Sequence, residues 1–397
     1  MPTTHRRLRR CAALFLQPRE RLTLDLGALL GGGNPLRAEP EWVALAPHLG
    51  REVALGSAAV LALGQIGESQ WTDRAQAAAQ VSDATLRELL NAGLLIEEGA
   101  ESAAEQALRA GWWHPLNALA HAGSRWSGTD SEAARREVRF ETVSELVAAQ
   151  GAPPPHYHTR TDAQTRCALP APVRTALDDL LARRATCRNF DPAAALPLAT
   201  LSTLLKRVFG AQGEEALAPG AVAVKKMSPS GGALHPLEAY LLVQRVEGLE
   251  PGLYHYHVGA HALDRLRTLD APAAQALALV AVAGQDYFAA APVLLVLSAR
   301  FPRTHWKYRN HPKIYRAIVL EAGHLSQNLY LAATEHGLGA FITAAINEVE
   351  LEQAFGLTPF AEGPLAVCGI GARADARRTV EFDPQGAVWG QAAPATR

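Results

Sequence analysis

Four cysteines in 397 residues, none spaced as CxxC, leave neither a zinc site nor a disulfide framework on which to build a fold. A reducing compartment, the cytoplasm, suits them. Charge of one sign is also missing: 38 Lys and Arg stand against 39 Asp and Glu, so the chain as a whole exerts no pull on nucleic acid and any basic site has to be local. No apolar run is long enough to span a bilayer, since Ala276 to Ala283 gives way at once to Gly284-Gln285-Asp286. Arg6, Arg7, Arg9 and Arg10 ahead of Ala12 to Leu16 imitate a signal peptide. That apolar run is too short, and Gln17-Pro18-Arg19-Glu20 ends it without a cleavage site, so it reads as an opening strand. Internal repeats are absent, and low complexity goes no further than a general richness in alanine.

What is present is ordinary globular composition, 48% hydrophobic and 19% charged, on a length that calls for two structural units. The first has a local grammar between Gly56 and Glu98. Ala58 to Leu63 is a helical run, Thr72-Asp73 caps the next segment, Ser82 caps a helix that stops at Gly93, and Leu94 to Ile96 reads as a strand. Short helices followed by a glycine and a strand make a winged-helix-like pattern, shared with small leader-peptide recognition domains. A DNA-reading helix would need Lys and Arg on its exposed face, whereas Ser82 to Asn91 sets Asp83 and Glu88 against Arg87 alone. The expected division is a winged-helix-like domain over 1–105, a connector with aromatic and Pro-rich segments over 106–170, and a second domain over 171–397. Gly151-Ala152-Pro153-Pro154-Pro155 and Leu169-Pro170-Ala171-Pro172 mark the connector.

Beyond the connector the pattern is α+β. Leu177 to Arg183 and Leu198 to Phe209 predict helices, Leu237 to Val243, Pro292 to Ala299 and Leu365 to Ile370 predict buried strands, and Gly252 to His257 with Ala262 to Leu266 predicts a hairpin turning at Gly259. Lys313 to His336 predicts a long helix, apolar on nearly every side and stopped by Gly337. Such a helix has to be buried all round, which in a unit this small points to a second subunit.

Two segments carry the chemistry. Arg183-Arg184-Ala185-Thr186-Cys187-Arg188-Asn189-Phe190 packs three guanidinium groups and a hydroxyl into a short stretch, a density that a bound anion would balance. Ser228-Pro229-Ser230-Gly231-Gly232-Ala233-Leu234-His235-Pro236 lets backbone amides approach a ligand closely. Gly369 and Gly371 lack the third glycine and following helix of a dinucleotide fingerprint. Glu321, His324 and Asn328 share one helix face, but a metal would want further ligands from elsewhere, so none is expected.

Together the two segments resemble the flavin mononucleotide (FMN) site of the nitroreductase-like fold. Trp306-Lys307-Tyr308 and Gly323-His324-Leu325-Ser326-Gln327-Asn328 narrow the resemblance to SagB-type dehydrogenases. It implies an α+β fold, with a central antiparallel-mixed sheet flanked by helices, in a homodimer. It also implies that Arg184 and Thr186 bind the phosphate, that Arg188 reaches the flavin pyrimidine edge, and that Ser228, Pro229, Ser230, Gly231 and Gly232 lie along the ring. Gly371 and Arg373 fall at the strand end where relatives place a basic residue on the phosphate, with Arg377 and Arg378 as alternatives. Ala185 departs from the pattern, which has a second small hydroxyl there.

The implied reaction is oxidation of thiazoline or oxazoline rings to azoles in a ribosomally made precursor peptide, with Lys307 as base, Tyr308 as its orienting or proton-relaying partner, and dioxygen as electron acceptor. Lys307 would serve if burial against its aromatic neighbours lowers its pKa. A cyclodehydratase complex is an implied partner. The alternatives are an NAD(P)H-dependent nitroreductase or flavin reductase, which leaves Lys307 and Tyr308 without a task, and a leader-peptide-binding scaffold without catalysis.

Overall fold

The computed structural model describes residues 7–137 and 142–390, so Arg6 of the basic run lies outside the described residues. Contacts divide the chain into two units, one of Met1–Arg125, Ala299–Ile318 and Gly356–Gly363, the other of Trp126–Ser298, Val319–Phe355 and Pro364–Arg397. The expected connector over 106–170 is thus shared between the units, up to Arg125 in the first and from Trp126 in the second.

In the first unit β1 (Arg7–Arg10) is followed by a ribbon of β2 (Phe15–Leu24) and β3 (Leu36–Leu45), with α1 (Leu26–Leu30) between them and β4 (Glu52–Leu55) beside β3. Then come α2 (Ser57–Gln65), β5 (Thr72–Asp73), α3 (Arg74–Ala78), α4 (Asp83–Ala92) and β6 (Leu95–Glu97). Strands β5 and β6 flank β1, both antiparallel to it. Helices α5 (Ala103–Ala110) and α6 (Pro115–Ser124) follow. The caps act as expected: Ser82 accepts from Thr85 N–H, and Gly93 takes φ 77° where α4 stops. Leu86 and Leu89 of α4 join Leu8, Leu63 and Leu94 in one core, each buried leucine contributing about 1.5–3 kcal/mol.

The opening strand differs from expectation. The apolar run Ala12 to Leu16 ends inside β2, which continues through Gln17-Pro18-Arg19-Glu20 to Leu24. Cross-strand charge, not apolar alternation, supports the ribbon: Arg21 of β2 pairs with Glu39 of β3 at 3.6 Å and with Glu41 at 3.9 Å, while Arg19 reaches past β3 to Glu52 of β4 at 2.5 Å.

In the second unit α7 (Ser131–Glu137) and α8 (Val143–Gln150) precede an exposed stretch, 151–175, without helix or strand. Then follow α9 (Ala176–Arg183), α10 (Leu198–Val208) and the hairpin β7 (Gly213–Ala218) and β8 (Ala221–Lys225). The chain continues through β9 (Leu237–Val243), β10 (Gly252–His257), β11 (Ala262–Thr268), α11 (Ala271–Ala281), α12 (Asp286–Ala289) and β12 (Val293–Arg300). After α13 (Phe301–His305), a first-unit helix, come α14 (Ile314–Glu335), β13 (Gly339–Thr343), α15 (Glu348–Phe355) and β14 (Glu362–Gly371).

The sheet of this unit runs β11-β10-β9-β12-β14-β13. Helix α10 buries Leu201, Leu204, Leu205 and Val208, an i, i+3, i+4, i+7 stripe. Helix α14 is not covered all round within the chain. Ile318, Ala322, Leu325, Leu329 and Ala333 are buried, while Val319 and Leu320 remain 48% and 59% exposed.

Candidate active site

Helix α9 ends at Arg184, whose backbone is already extended, and the chain from there to Phe190 lies along the sheet edge. Thr186 bridges Ala340 of β13 in parallel, Cys187 N–H donates to Ala340 O at 2.8 Å, and Phe190 bridges Arg373. Extended backbone alternates its side chains. Ala185, Cys187 and Asn189 are therefore buried, and Arg184, Thr186 and Arg188 share the more open side. Ala185 faces inward, away from those three, so a methyl suits its position. The edge packs tightly: a Cβ at Gly339 would come within 2.5 Å of Cys187 Sγ.

Among the described residues neither the Arg184 nor the Arg188 side chain forms an ion pair. The Arg184 guanidinium lies 5.3 Å from the Tyr330 ring centre, and Arg188 reaches Val380 O at 3.5 Å. Two guanidinium groups and a hydroxyl on one side, without a protein carboxylate to neutralise them, are suited to an anion such as phosphate.

The backbone beneath them is fixed by Glu381, which the sequence did not single out. This buried carboxylate accepts from Arg188 N–H at 2.5 Å, Asn189 N–H at 3.0 Å, Asn189 Nδ2 at 2.9 Å, Arg373 at 2.5 Å and Trp389 Nε1 at 2.8 Å. Burial opposes its ionisation, but these hydrogen bonds and the Arg373 charge outweigh burial and hold its pKa below the usual carboxylate value. Asn189 accepts from Arg378 and Thr379 N–H, both at 2.7 Å, and so ties down the chain that presents Glu381.

Two candidates at the β14 end have other partners. Arg373 gives its guanidinium to Glu381 and to Ala185 O at 2.9 Å. Gly371 is buried, and a Cβ there would lie 2.3 Å from Pro292 Cδ and 3.2 Å from Phe190 Cδ1, so close packing requires the glycine.

The loop Ser228–Pro236 docks on α14. Asn328 Nδ2 donates to Ser228 Oγ at 2.7 Å, His324 Nδ1 donates to Pro229 O at 3.2 Å, and the Ser230 hydroxyl bonds the Glu321 carboxylate. Ser230 Oγ also accepts from His235 N–H at 2.9 Å. Glu321, His324 and Asn328 thus use their shared face to hold this loop. Burial pushes the Glu321 carboxyl up, against the Ser230 bond and the Lys226 charge. The loop passes through left-handed backbone at Gly232 (φ 69°), Ala233 (φ 57°) and His235 (φ 47°). At the two residues that are not glycine this costs about 1–3 kcal/mol each, so the anchors on α14 have a definite task.

The same helix reaches the edge segment. Tyr330, also missed in the sequence, places its hydroxyl 3.0 Å from Thr186 Oγ1 and accepts from Ile342 N–H at 3.2 Å. Both motif segments are therefore gathered on α14 within the second unit.

Lys307 and Tyr308 belong to the first unit, on the turn after α13. Lys307 is exposed within the chain instead of packed beneath aromatic residues, because it occupies a surface turn, with Nζ 5.3 Å from the Tyr308 ring centre. No helix among the described residues is long and apolar enough to cross a membrane, and none of their His, Cys, Asp or Glu clusters could hold a metal ion.

The nitroreductase family matches residues 181–372. A Methanocaldococcus jannaschii protein named as a nitroreductase, MJ1384, is 32% identical over 203 residues, covering 51% of this chain and 94% of its own. The trifolitoxin-processing protein TfxB of Rhizobium leguminosarum bv. trifolii is 31% identical over 144 residues, 36% of this chain and 38% of that one. The microcin B17-processing protein McbC of Escherichia coli is 28% identical over 184 residues, 45% of this chain and 63% of that one. The chain spans less than two thirds of the length of either processing protein. With residues 181–372 matched and a relative of 32% identity spanned almost whole, the chain belongs to the nitroreductase family of oxidoreductases, whose members generally bind flavin.

Proposed function

We propose that this protein is an FMN-dependent dehydrogenase that oxidises thiazoline or oxazoline rings in a precursor peptide to azoles, acting as a homodimer and in complex with a cyclodehydratase. The observation that carries it is the gathering, on one helix, α14, of a glycine-rich loop and an Arg-Thr-Arg face without an ion pair among the described residues. The likeness to proteins that process trifolitoxin and microcin B17 supports a peptide as substrate over a small nitro compound.

In this assignment Arg184 and Thr186 hold the phosphate and Arg188 sets a permanent positive charge at the pyrimidine edge of the ring. Backbone N–H groups of Ser230, Gly231 and Gly232 donate along the ring edge. Arg373 and Gly371, expected beside the phosphate, also hold the strand end, through Glu381 and through close packing on Pro292. Bound flavin supplies a two-electron acceptor for hydride. Lys307 Nζ takes the proton from the ring α-carbon, the adjacent carbon gives up hydride, and the new double bond completes the aromatic azole. Tyr308 orients the amine or passes its proton to water. Dioxygen is the final acceptor of the two electrons. Exposed Val319 and Leu320 on α14 support burial against a second copy.

Incubating the flavin-loaded protein with an azoline peptide and weighing the product tests the assignment. A loss of two hydrogens per ring is expected. An unchanged peptide mass, together with NADH-driven reduction of a nitroaromatic, would replace it with the reductase.

A further inference from the structure

The turn between α13 and α14 that carries Lys307 and Tyr308 has little packing of its own, with Trp306, Lys307, Arg309 and Asn310 all exposed. Its shape is nevertheless fixed, from a stretch about 195 positions earlier in the chain. His305 Nδ1 donates to Gly111 O at 2.9 Å just before the turn, Asn310 N–H donates to Trp112 O at 3.0 Å within it, and Asn117 Nδ2 donates to Pro312 O at 3.0 Å just after it. The Arg309 guanidinium lies over the Trp112 ring, 4.3 Å from its centre. At both ends of the Asn310–Trp112 bond the backbone is left-handed, φ 54° at Asn310 and φ 50° at Trp112. Strain of that kind persists only where the surroundings hold it. Here Trp113 provides the hold: its ring packs 4.7 Å from His305 and 4.6 Å from Phe301, centre to centre, and its Nε1 donates to Phe360 O at 2.9 Å.

We infer that Trp112 and Asn117 are positioning residues for Lys307, and that the first unit thereby sets the geometry of the base. The inference deepens the function proposed above and rests on it. A base acts only within hydrogen-bond reach of the proton it removes, and a displacement of about 1 Å costs up to roughly 100-fold in rate. A lysine on an exposed turn cannot keep such a position unless the turn is clamped. Both residues spend these contacts on the chain just after Lys307, at Arg309, Asn310 and Pro312, while the His305–Gly111 bond holds the chain just before it.

The test uses the full-length, flavin-loaded protein with Trp112→Ala, Trp112→Phe and Asn117→Ala. Each is read for flavin content, for kcat and KM on an azoline peptide, and for amide hydrogen exchange over 306–313. Flavin content and peptide KM should stay within about twofold of the parent while kcat falls about tenfold or more in Trp112→Ala and Asn117→Ala. Exchange over 306–313 should speed up in the same two variants, and Trp112→Phe, which keeps an aromatic face for Arg309, should recover most of both. Faster exchange with unchanged kcat would overturn the inference, as would unchanged exchange, or loss of turnover only in step with loss of flavin. Should the parent fail to oxidise any azoline, the function falls, and exchange still decides whether these residues fix the turn.

Discussion

Thr186 Oγ1 lies 3.0 Å from the hydroxyl of Tyr330, whose oxygen also accepts from Ile342 N–H. Either hydroxyl can donate to the other; when Tyr330 is the donor, the threonine's own hydrogen is free to donate outward. The pair thus orients a hydroxyl on the side where Arg184 and Arg188 also lie, and it joins a sheet edge to the helix that anchors the glycine-rich loop.

Tyr330→Phe removes this relay with little change of shape. The Ile342 N–H loses a partner, which costs about 1–3 kcal/mol, and Thr186 turns its hydrogen to whatever acceptor remains. Thermal unfolding should fall accordingly, and flavin titration should show affinity reduced severalfold. Unchanged affinity with lowered stability would separate the tyrosine from the anion site.

Gly371→Ala separates packing from binding. The new methyl would meet Pro292 and the Phe190 ring well inside contact distance, and overpacking of this kind costs about 1–3 kcal/mol. The variant should unfold at lower temperature yet, at temperatures where it is folded, bind flavin as the parent does. Retained stability with lost flavin would return Gly371 to the cofactor site.

Glu381 gives the chain an acid limit. Its folded-state pKa lies below the unfolded value near 4.5, so the unfolded chain binds the extra proton between the two values and stability rises with pH across that window. The contribution is full above about pH 4.5 and fades as pH falls through the lower, folded value. Glu381→Gln should lose about 3 kcal/mol at pH 7, the usual cost of breaking a buried charge network. The gap to the parent should narrow on acidification in melting curves taken from pH 6 to pH 3. A gap that stays constant with pH would mean that the carboxylate charge carries no part of the effect.

Residue chemistry made part of this site legible. Arg184, Thr186 and Arg188 announce an anion by their density, and Ser228 to Gly232 announce a close-approach loop by their lack of side chains. Helix periods placed α10 and α14 because each buries a regular stripe, and short continuous apolar runs placed β9 and β12, which are buried along most of their length. Tyr330 and Glu381 left no trace, since one tyrosine in an apolar helix and one glutamate near a chain end follow no period. The β2–β3 ribbon was hidden for a related reason: its charges pair across strands, so nothing alternates along the sequence. Lys307 shows the opposite limit, because the role implied by the resemblance called for burial against aromatic neighbours, while the fold sets it on an exposed turn.

That turn gives the sharpest test of the chemistry. Lys307→Ala removes an amine from an exposed position with no ion pair among the described residues, so folding and flavin content should match the parent. If Nζ takes the α-proton, azoline oxidation should fall by about 100-fold or more, the range that general-base catalysis supplies. The variant should also recover part of its rate with added small primary amines. Mass spectra of the peptide, taken through a time course, report both rates. Equal turnover by Lys307→Ala and parent would remove the base from this residue while leaving the flavin assignment of the second unit intact, since the two rest on different residues.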